Sequence, residues 1–261
     1  MALTVRVQGA TAPALGFGTW RLAGEACEAA VADAIAVGYR HIDTARMYQN
    51  EAEVGRAMRA SGVARESIFL VSKIWPDDFP ADRARKAAEA SLAALGVDYL
   101  DLMLMHWPPR TTPLEETLAA LAELQEAGKI LHLGVSNFGP KLMTEAVKHT
   151  HILTNQIEYH PLKNQSETVA WCQGRDIMIT AYSPIARGAA LRDETIRRIA
   201  VRQDKTPAQV CLRWLVQQDK VAVIPKAATP EHRRSNFAIS DFQLSEEEMA
   251  EISAIAQKRG S

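Results

Sequence analysis

YRHIDTARMY (Tyr39–Tyr48), IFLVSK (Ile68–Lys73) and YLDLMLMH (Tyr99–His106) share one plan, an apolar run followed by a reactive side chain. The runs are nearly continuous rather than alternating, as strands covered on both faces read. Asp43, Lys73 and His106 stand at the carboxyl ends of these strands, and Tyr48 in the loop after the first. Four reactive side chains at successive strand ends indicate one active site at one mouth of an α/β barrel.

Outward from this stretch, strand patterns recur. They centre on Leu15–Gly18, Tyr39–Asp43, Ile68–Lys73, Leu100–His106, Ile130–Ser136, Thr154–Glu158, Ile177–Ala181 and Val221–Ile224. A short amino-terminal hairpin, with VRV before a turn at Gly9, precedes them. Helix patterns lie between. EACEAAVADAIAVG, NEAEVGRAMRASG and ADRARKAAEASLAALG each end at glycine, a common helix stop. TTPLEETLAALAELQEAGK and TPAQVCLRWLVQQ each begin Thr-Pro, an N-cap followed by the first helical position. Two more helices are expected around Arg234 and from Ser245. Eight strands with crossover helices predict a (β/α)8 barrel. A doubly wound open sheet is disfavoured, because GFGTW lacks the third glycine of a dinucleotide fingerprint.

The chain has 261 residues, 47% of them apolar, and fits one barrel domain over residues 1–261. Lys plus Arg number 30 and Asp plus Glu 31, so nothing in the balance points to nucleic acid or an anionic membrane. No apolar run is long enough to cross a bilayer, and MALTVRVQGATAP lacks the build of a secretory signal. Cys27, Cys172 and Cys211 are scattered and odd in number, which predicts buried thiols and a cytoplasmic setting. His149, His151 and His160 lack ligand spacing, and no metal site is expected. Trp171 and Trp214 sit in helix patterns, as packing between helix and barrel. A monomer is expected.

Asp43, Tyr48, Lys73 and His106 together suit reduction of a carbonyl. A free phenol titrates near ~10. An ammonium at Lys73 would lower that value for Tyr48, the general acid, and Asp43 would hold the lysine charged. His106 would hydrogen-bond the substrate oxygen. His41 shares the Asp43 face but lies deeper, as packing. No side chain supplies a hydride, so a cofactor must. Ser136, Asn137 and Gln156 offer donors and acceptors for a carboxamide, and Tyr182 a face for stacking. One of Ser136 and Asn137 is also expected to cap the helix that follows. The loop Ser183, Pro184, Ile185, Ala186, Arg187 and Gly188 would give backbone amides and one cation to a pyrophosphate. Lys226, and Arg233 in a helix opened by Thr229-Pro230-Glu231, suit phosphate. Arg234 reads as solvated helix face. Trp20, Trp75 and Trp107 would form an apolar cup for small aldehydes, α-keto aldehydes and diketones.

These motifs resemble the aldo-keto reductase superfamily. GYRHIDTARMYQNEAEVG, LMLMHWP, GVSNF, TNQIEYHP, YSPIARG and IPK follow its signatures in order, over nearly the whole chain. Within it the chain is similar to bacterial 2,5-diketo-D-gluconate reductases, which also reduce methylglyoxal. The resemblance implies a (β/α)8 barrel binding extended NADPH. It assigns Asp43, Tyr48, Lys73 and His106 to the family's tetrad. It adds Gly18, Thr19, Trp20, Asp43, Ile224, Pro225, Ala227, His232 and Asn236 to the cofactor contacts. Ala227 stands where the family usually has serine, and His232 where it has an arginine on the 2′-phosphate. Both remove donors, which implies NADPH use with NADH tolerated. The chain stops at KRGS, where relatives continue into a loop over the substrate, which implies a more open site. Two other classes fit a barrel: a non-catalytic nucleotide sensor, and a lyase or isomerase using Lys73 as a Schiff base. The tetrad opposes the first, and Asp43 beside Lys73 the second.

Overall fold

A computed structural model of the protein describes residues 3–259; Met1, Ala2, Gly260 and Ser261 lie outside them, and with the last two the expectation drawn from the KRGS end. Among the described residues, an antiparallel hairpin of β1 (Thr4–Val7) and β2 (Ala10–Pro13) precedes an eight-stranded parallel sheet. Its strands are β3 (Phe17–Gly18), β4 (His41–Asp43), β5 (Phe69–Ile74), β6 (Leu100–Met105), β7 (Ile130–Ser136), β8 (Ile152–Glu158), β9 (Met178–Tyr182) and β10 (Val221–Val223), hydrogen-bonded in chain order. The sheet closes where Leu15 bridges Val223 in parallel, with Gly16 N donating to Val223 O at 2.8 Å and Gly18 N to Pro225 O at 3.1 Å. The chain is thus a (β/α)8 barrel, as the strand pattern predicts. Gly18 permits the closure, since a Cβ there would sit 2.9 Å from Ile224 O.

Strand alternation divides the barrel's residues between two cores. Phe69, Val71, Leu102, Leu104, Leu153, Met178 and Ala222 form the inner core, and Val5, Val7 and Ala12 of the hairpin pack onto it. The hairpin therefore plugs one end of the barrel and leaves the other for the site. Gly134 in β7 gives the inner core its room, because a Cβ there would lie 2.5 Å from Leu104 Cδ2. The outer core joins the strands' other faces to the helices, through residues such as Ile42, Leu70, Leu100 and Ile179.

The helices are α1 (Gly24–Val37), α2 (Glu51–Ala60), α3 (Ala81–Leu95), α4 (Leu114–Glu126), α5 (Pro140–Ala146), α6 (Ser166–Gln173), α7 (Glu194–Arg202), α8 (Pro207–Val216), α9 (Pro230–Phe237) and α10 (Glu246–Arg259). α1 and α3 stop at Gly38 and Gly96, whose amides close back on the last turn. α2 stops at Ser61, just before Gly62. The Thr-Pro starts diverge. Thr206 caps α8 in a capping box with Gln209, Pro207 following. Before α4, Pro113 itself occupies the cap position with extended ψ, so Thr112 is not the cap. Lys129 Nζ, just past the end of α4, donates to Glu89 Oε1 at 2.7 Å. Neither Ser136 nor Asn137 caps α5, where Gly139 takes that place. α7 has no counterpart among the expected helices, and Asp193 caps it by accepting from the amides of Thr195 and Ile196.

All three cysteines are buried and free. Trp214 is buried against Tyr159, while Trp171 is half-buried with the Arg175 guanidinium over its ring. No helix among the described residues is long and apolar enough to cross a membrane.

Candidate active site

Asp43, Lys73 and His106 end β4, β5 and β6 or directly follow them, at the mouth opposite the hairpin. Lys73 lies two residues beyond Val71 and so shares its inward face. Its side chain is fully buried, with Nζ 2.5 Å from Asp43 Oδ1 and 2.8 Å from Thr44 O. Burial alone would push its pKa down. The charge of Asp43, then Tyr48 and the hydrogen bond to Asp43, reverse this and hold it above the ordinary lysine value. Such an ammonium is a poor Schiff-base nucleophile.

Tyr48 ends a 3-10 turn, Arg46–Tyr48, and its ring centre lies 5.2 Å from Lys73 Nζ. Lys73 pulls the phenol pKa down, as expected from the sequence. The net direction is nevertheless up, because burial is the larger effect and Asp43 adds to it. The expectation of a lowered Tyr48 pKa is thereby corrected: burial keeps the resting phenol protonated, and Lys73 limits the rise. His106 meets the Tyr48 ring edge-on at 5.6 Å and the Trp75 ring at 5.1 Å. Burial, then the Lys73 charge, lowers its pKa to about 3, so the imidazole is neutral near pH 7. His41 lies deeper, fully buried, with Nδ1 on Pro13 O at 3.0 Å.

The polar residues at the ends of β7, β8 and β9 form one network. Tyr182 Oη donates to Asn137 Oδ1 at 2.9 Å, Asn137 Nδ2 to Ser136 Oγ at 3.0 Å, and Ser136 Oγ to Gln156 O at 2.8 Å. Gln156 Nε2 donates to Asp43 Oδ2 at 2.8 Å and so joins this network to the Lys73 pair. Asn137 holds a left-handed φ of 65°. Asparagine tolerates that region better than most residues. The Tyr182 side chain is half-buried, with its hydroxyl on the Asn137 amide. This donor and acceptor set, with an aromatic face and an exposed Lys226 after β10, fits a nicotinamide dinucleotide.

Two expectations change, for Arg233 and for two amides of the Ser183–Gly188 loop. Arg233 is buried, with Nε on Asp33 Oδ2 at 2.5 Å and Nη1 on Ala227 O and Ala228 O, so it braces the turn after β10 instead of facing a phosphate. In the Ser183–Gly188 loop, Ala186 N and Gly188 N are taken by Ser183 O and Ile185 O. Arg187 sets its guanidinium 5.5 Å from the Trp20 ring. Asn236 is buried in α9, while His232 is exposed and donates its amide to Thr229 Oγ1. Trp20 and Trp75 are half-buried, and Trp107 is 42% exposed, too open to be core packing. Thr44 and Asn50, absent from the sequence reading, are fully buried beside the tetrad. A surface cleft of about 300 Å³, lined by residues such as Asp77, Arg83 and Arg110, contains none of the four.

The chain matches the Aldo/keto reductase family over residues 14–257. It is 45% identical to an aldo-keto reductase of Mycolicibacterium smegmatis, over 95% of this chain and 90% of that one. It is 40% identical to the methylglyoxal reductase DkgA of Salmonella typhimurium, over 97% of this chain and 93% of that one. A crystal structure described as a candidate 2,5-diketo-D-gluconic acid reductase B superposes with a TM-score of 0.97 at 41% identity, covering 100% of this chain and 94% of that one. Matches of this length and identity, on a barrel with this constellation at its mouth, make the chain a carbonyl-reducing enzyme that belongs to the aldo/keto reductase family.

Proposed function

We propose that the protein reduces small aldehydes, α-keto aldehydes and diketones to alcohols with NADPH, and that Tyr48 is the general acid. The carrying observation is the buried Lys73–Asp43 pair beneath the Tyr48 ring, with neutral His106 at its edge. A bound reduced nicotinamide supplies the hydride for the carbonyl carbon. Tyr48 Oη gives its proton to the carbonyl oxygen as negative charge builds there. Lys73 stabilises the phenolate left behind, and Asp43 keeps the ammonium in place. The neutral imidazole of His106 orients the carbonyl oxygen by donating a hydrogen bond.

Ser136, Asn137 and Gln156 suit the carboxamide, and Tyr182 the ring. Trp75 packs against His106, and we assign it with Trp20 and Trp107 to an apolar cup that favours small dicarbonyls such as methylglyoxal, the substrate in the name of the Salmonella relative. Lys226 supports NADPH. His232 and Ala227 weaken the preference and leave NADH tolerated.

The test is loss of absorbance at 340 nm on mixing the protein with methylglyoxal and either reduced cofactor. Turnover with NADPH exceeding that with NADH is expected, and Tyr48→Phe should lose about two decades of kcat with cofactor affinity kept. No turnover across a broad aldehyde panel would overturn the assignment, and unchanged kcat in Tyr48→Phe would remove Tyr48 as the acid.

A further inference from the structure

Asn50 stands at the cap position of α2, where asparagine ordinarily accepts from a helix amide. It makes no such bond; its backbone lies at φ −132° and ψ 12°. The side chain is fully buried and turned toward the barrel mouth's loops instead. Nδ2 donates to Thr19 O at 3.0 Å and Leu22 O at 2.9 Å, and Oδ1 accepts from Thr44 Oγ1 at 2.7 Å. The amide's orientation follows from its partners, since two carbonyls demand the nitrogen. Both its hydrogens are used.

These three partners bracket the site. Thr44 and Asn50 are the two feet of the arch that carries Tyr48, and their side chains join across it. The Thr44 foot is fixed to β5 through Thr44 N on Val71 O at 2.9 Å, and its carbonyl takes the Lys73 ammonium at 2.8 Å. Thr19 and Leu22 flank Trp20, and Thr19 itself donates through N and Oγ1 to Asp43 O, both at 3.0 Å. One carboxamide therefore spans the Tyr48 arch and the Trp20 loop.

We infer that Asn50 is a positioning residue: it ties the arch bearing Tyr48 to the loop bearing Trp20 and so sets where the phenol stands relative to Lys73 and the substrate. The inference rests on the general-acid reading of Tyr48. Asn50 touches no reacting atom. Its effect runs through the geometry of the proton donor, and a misplacement of about 1 Å can cost about 100-fold in rate.

The experiment is steady-state kinetics of Asn50→Ala, Thr44→Val and Thr44→Ser with methylglyoxal, with rates expressed per cofactor-binding site by titrating NADPH fluorescence. Asn50→Ala is expected to lower kcat by about tenfold to 100-fold, with KM for NADPH changed less than about threefold. Thr44→Val keeps the fold's volume and loses the hydroxyl, so it gives a smaller fall, which Thr44→Ser largely recovers. In a Tyr48→Phe background, Asn50→Ala should add less than about twofold, because its target is gone. Full kcat in Asn50→Ala overturns the inference, as does an equal further loss in the Tyr48→Phe background. If Asn50→Ala fails to fold, Thr44→Val decides, and full kcat there overturns it. Turnover kept by Tyr48→Phe alone is a separate result that sinks the general-acid reading, and the inference with it.

Discussion

Gln156 Nε2 donates to Asp43 Oδ2 at 2.8 Å, from the end of β8 to the end of β4 across the barrel mouth. Asp43 is thereby shared, with Oδ1 on Lys73 and Oδ2 on Gln156. The amide proposed for the cofactor's carboxamide also steadies the carboxylate that orients Lys73. Gln156→Leu strips a buried carboxylate oxygen of its donor, which costs about 1–3 kcal/mol. Gln156→Glu should cost more, since two carboxylates then face each other. Urea unfolding of the two variants measures both, and wild-type stability in Gln156→Leu would show that the bond carries no weight.

The Lys73–Asp43 pair gives a second expectation. Removing one partner of a buried pair leaves an uncompensated charge, at about 3–5 kcal/mol. Asp43→Asn and Lys73→Met should each lose about that much, and the double variant less than their sum. The pH dependence has a definite sign. The folded Lys73 pKa lies above the unfolded value of about 10.4. As pH rises, the unfolded chain loses its proton first, so the contribution is full below about 10.4 and fades above it. The stability gap between wild type and Lys73→Met should be flat from pH 7 to 9 and shrink beyond. A gap that shrinks already between pH 7 and 9 would contradict this environment.

His106 works in the opposite pH range. Its folded pKa of about 3 lies below the unfolded value of about 6.5. Between the two the unfolded chain binds a proton that the folded protein does not. The contribution is full above about 6.5 and falls with pH at up to about 1.4 kcal/mol per unit. His41, also lowered by burial, adds a slope of the same sign. His106→Gln should therefore lose less stability than wild type between pH 7 and pH 4.5. An NMR titration of the His106 ring should stay flat from pH 8 to 5, and a midpoint near 6.5 would refute the burial argument.

The barrel and the reactive quartet were legible because parallel strands buried on both faces read as apolar runs, with chemistry at their ends. Thr206-Pro207 signalled its helix start because Gln209 completes the cap locally. The same dipeptide at Thr112-Pro113 misled, since nothing nearby marks Pro113 as the cap. Arg233 misled for a different reason. A basic residue in a helix's first turn suggests an anion, but its partner Asp33 lies 200 positions away. The Tyr48 pKa direction depends on burial outweighing one ammonium, which residue types alone do not weigh. Asn50 escaped the sequence reading because asparagine before a helix is commonplace, and only its side-chain bonds to Thr19, Leu22 and Thr44 set it apart.

The cations after β10 allow a last expectation, on cofactor choice. Lys226 is exposed, whereas Arg233 is turned inward onto Asp33 and two carbonyls. If Lys226 meets the 2′-phosphate, Lys226→Ala removes a charged hydrogen bond and should raise KM for NADPH about tenfold to 100-fold, with NADH little affected. Its stability should not change, because the residue is exposed. His232→Arg restores a cation on an exposed first turn and should raise the preference for NADPH. Arg233→Met should do neither. It breaks a pair that is buried on the arginine side and about a quarter exposed on the Asp33 side, so a loss of about 1–3 kcal/mol is expected after solvent screening. The ratio of kcat/KM for the two cofactors should then stay near wild type among the molecules that remain folded. Urea melts and paired cofactor kinetics on the three variants separate these outcomes. A collapsed NADPH preference in Arg233→Met at unchanged stability would show that its guanidinium serves the phosphate after all.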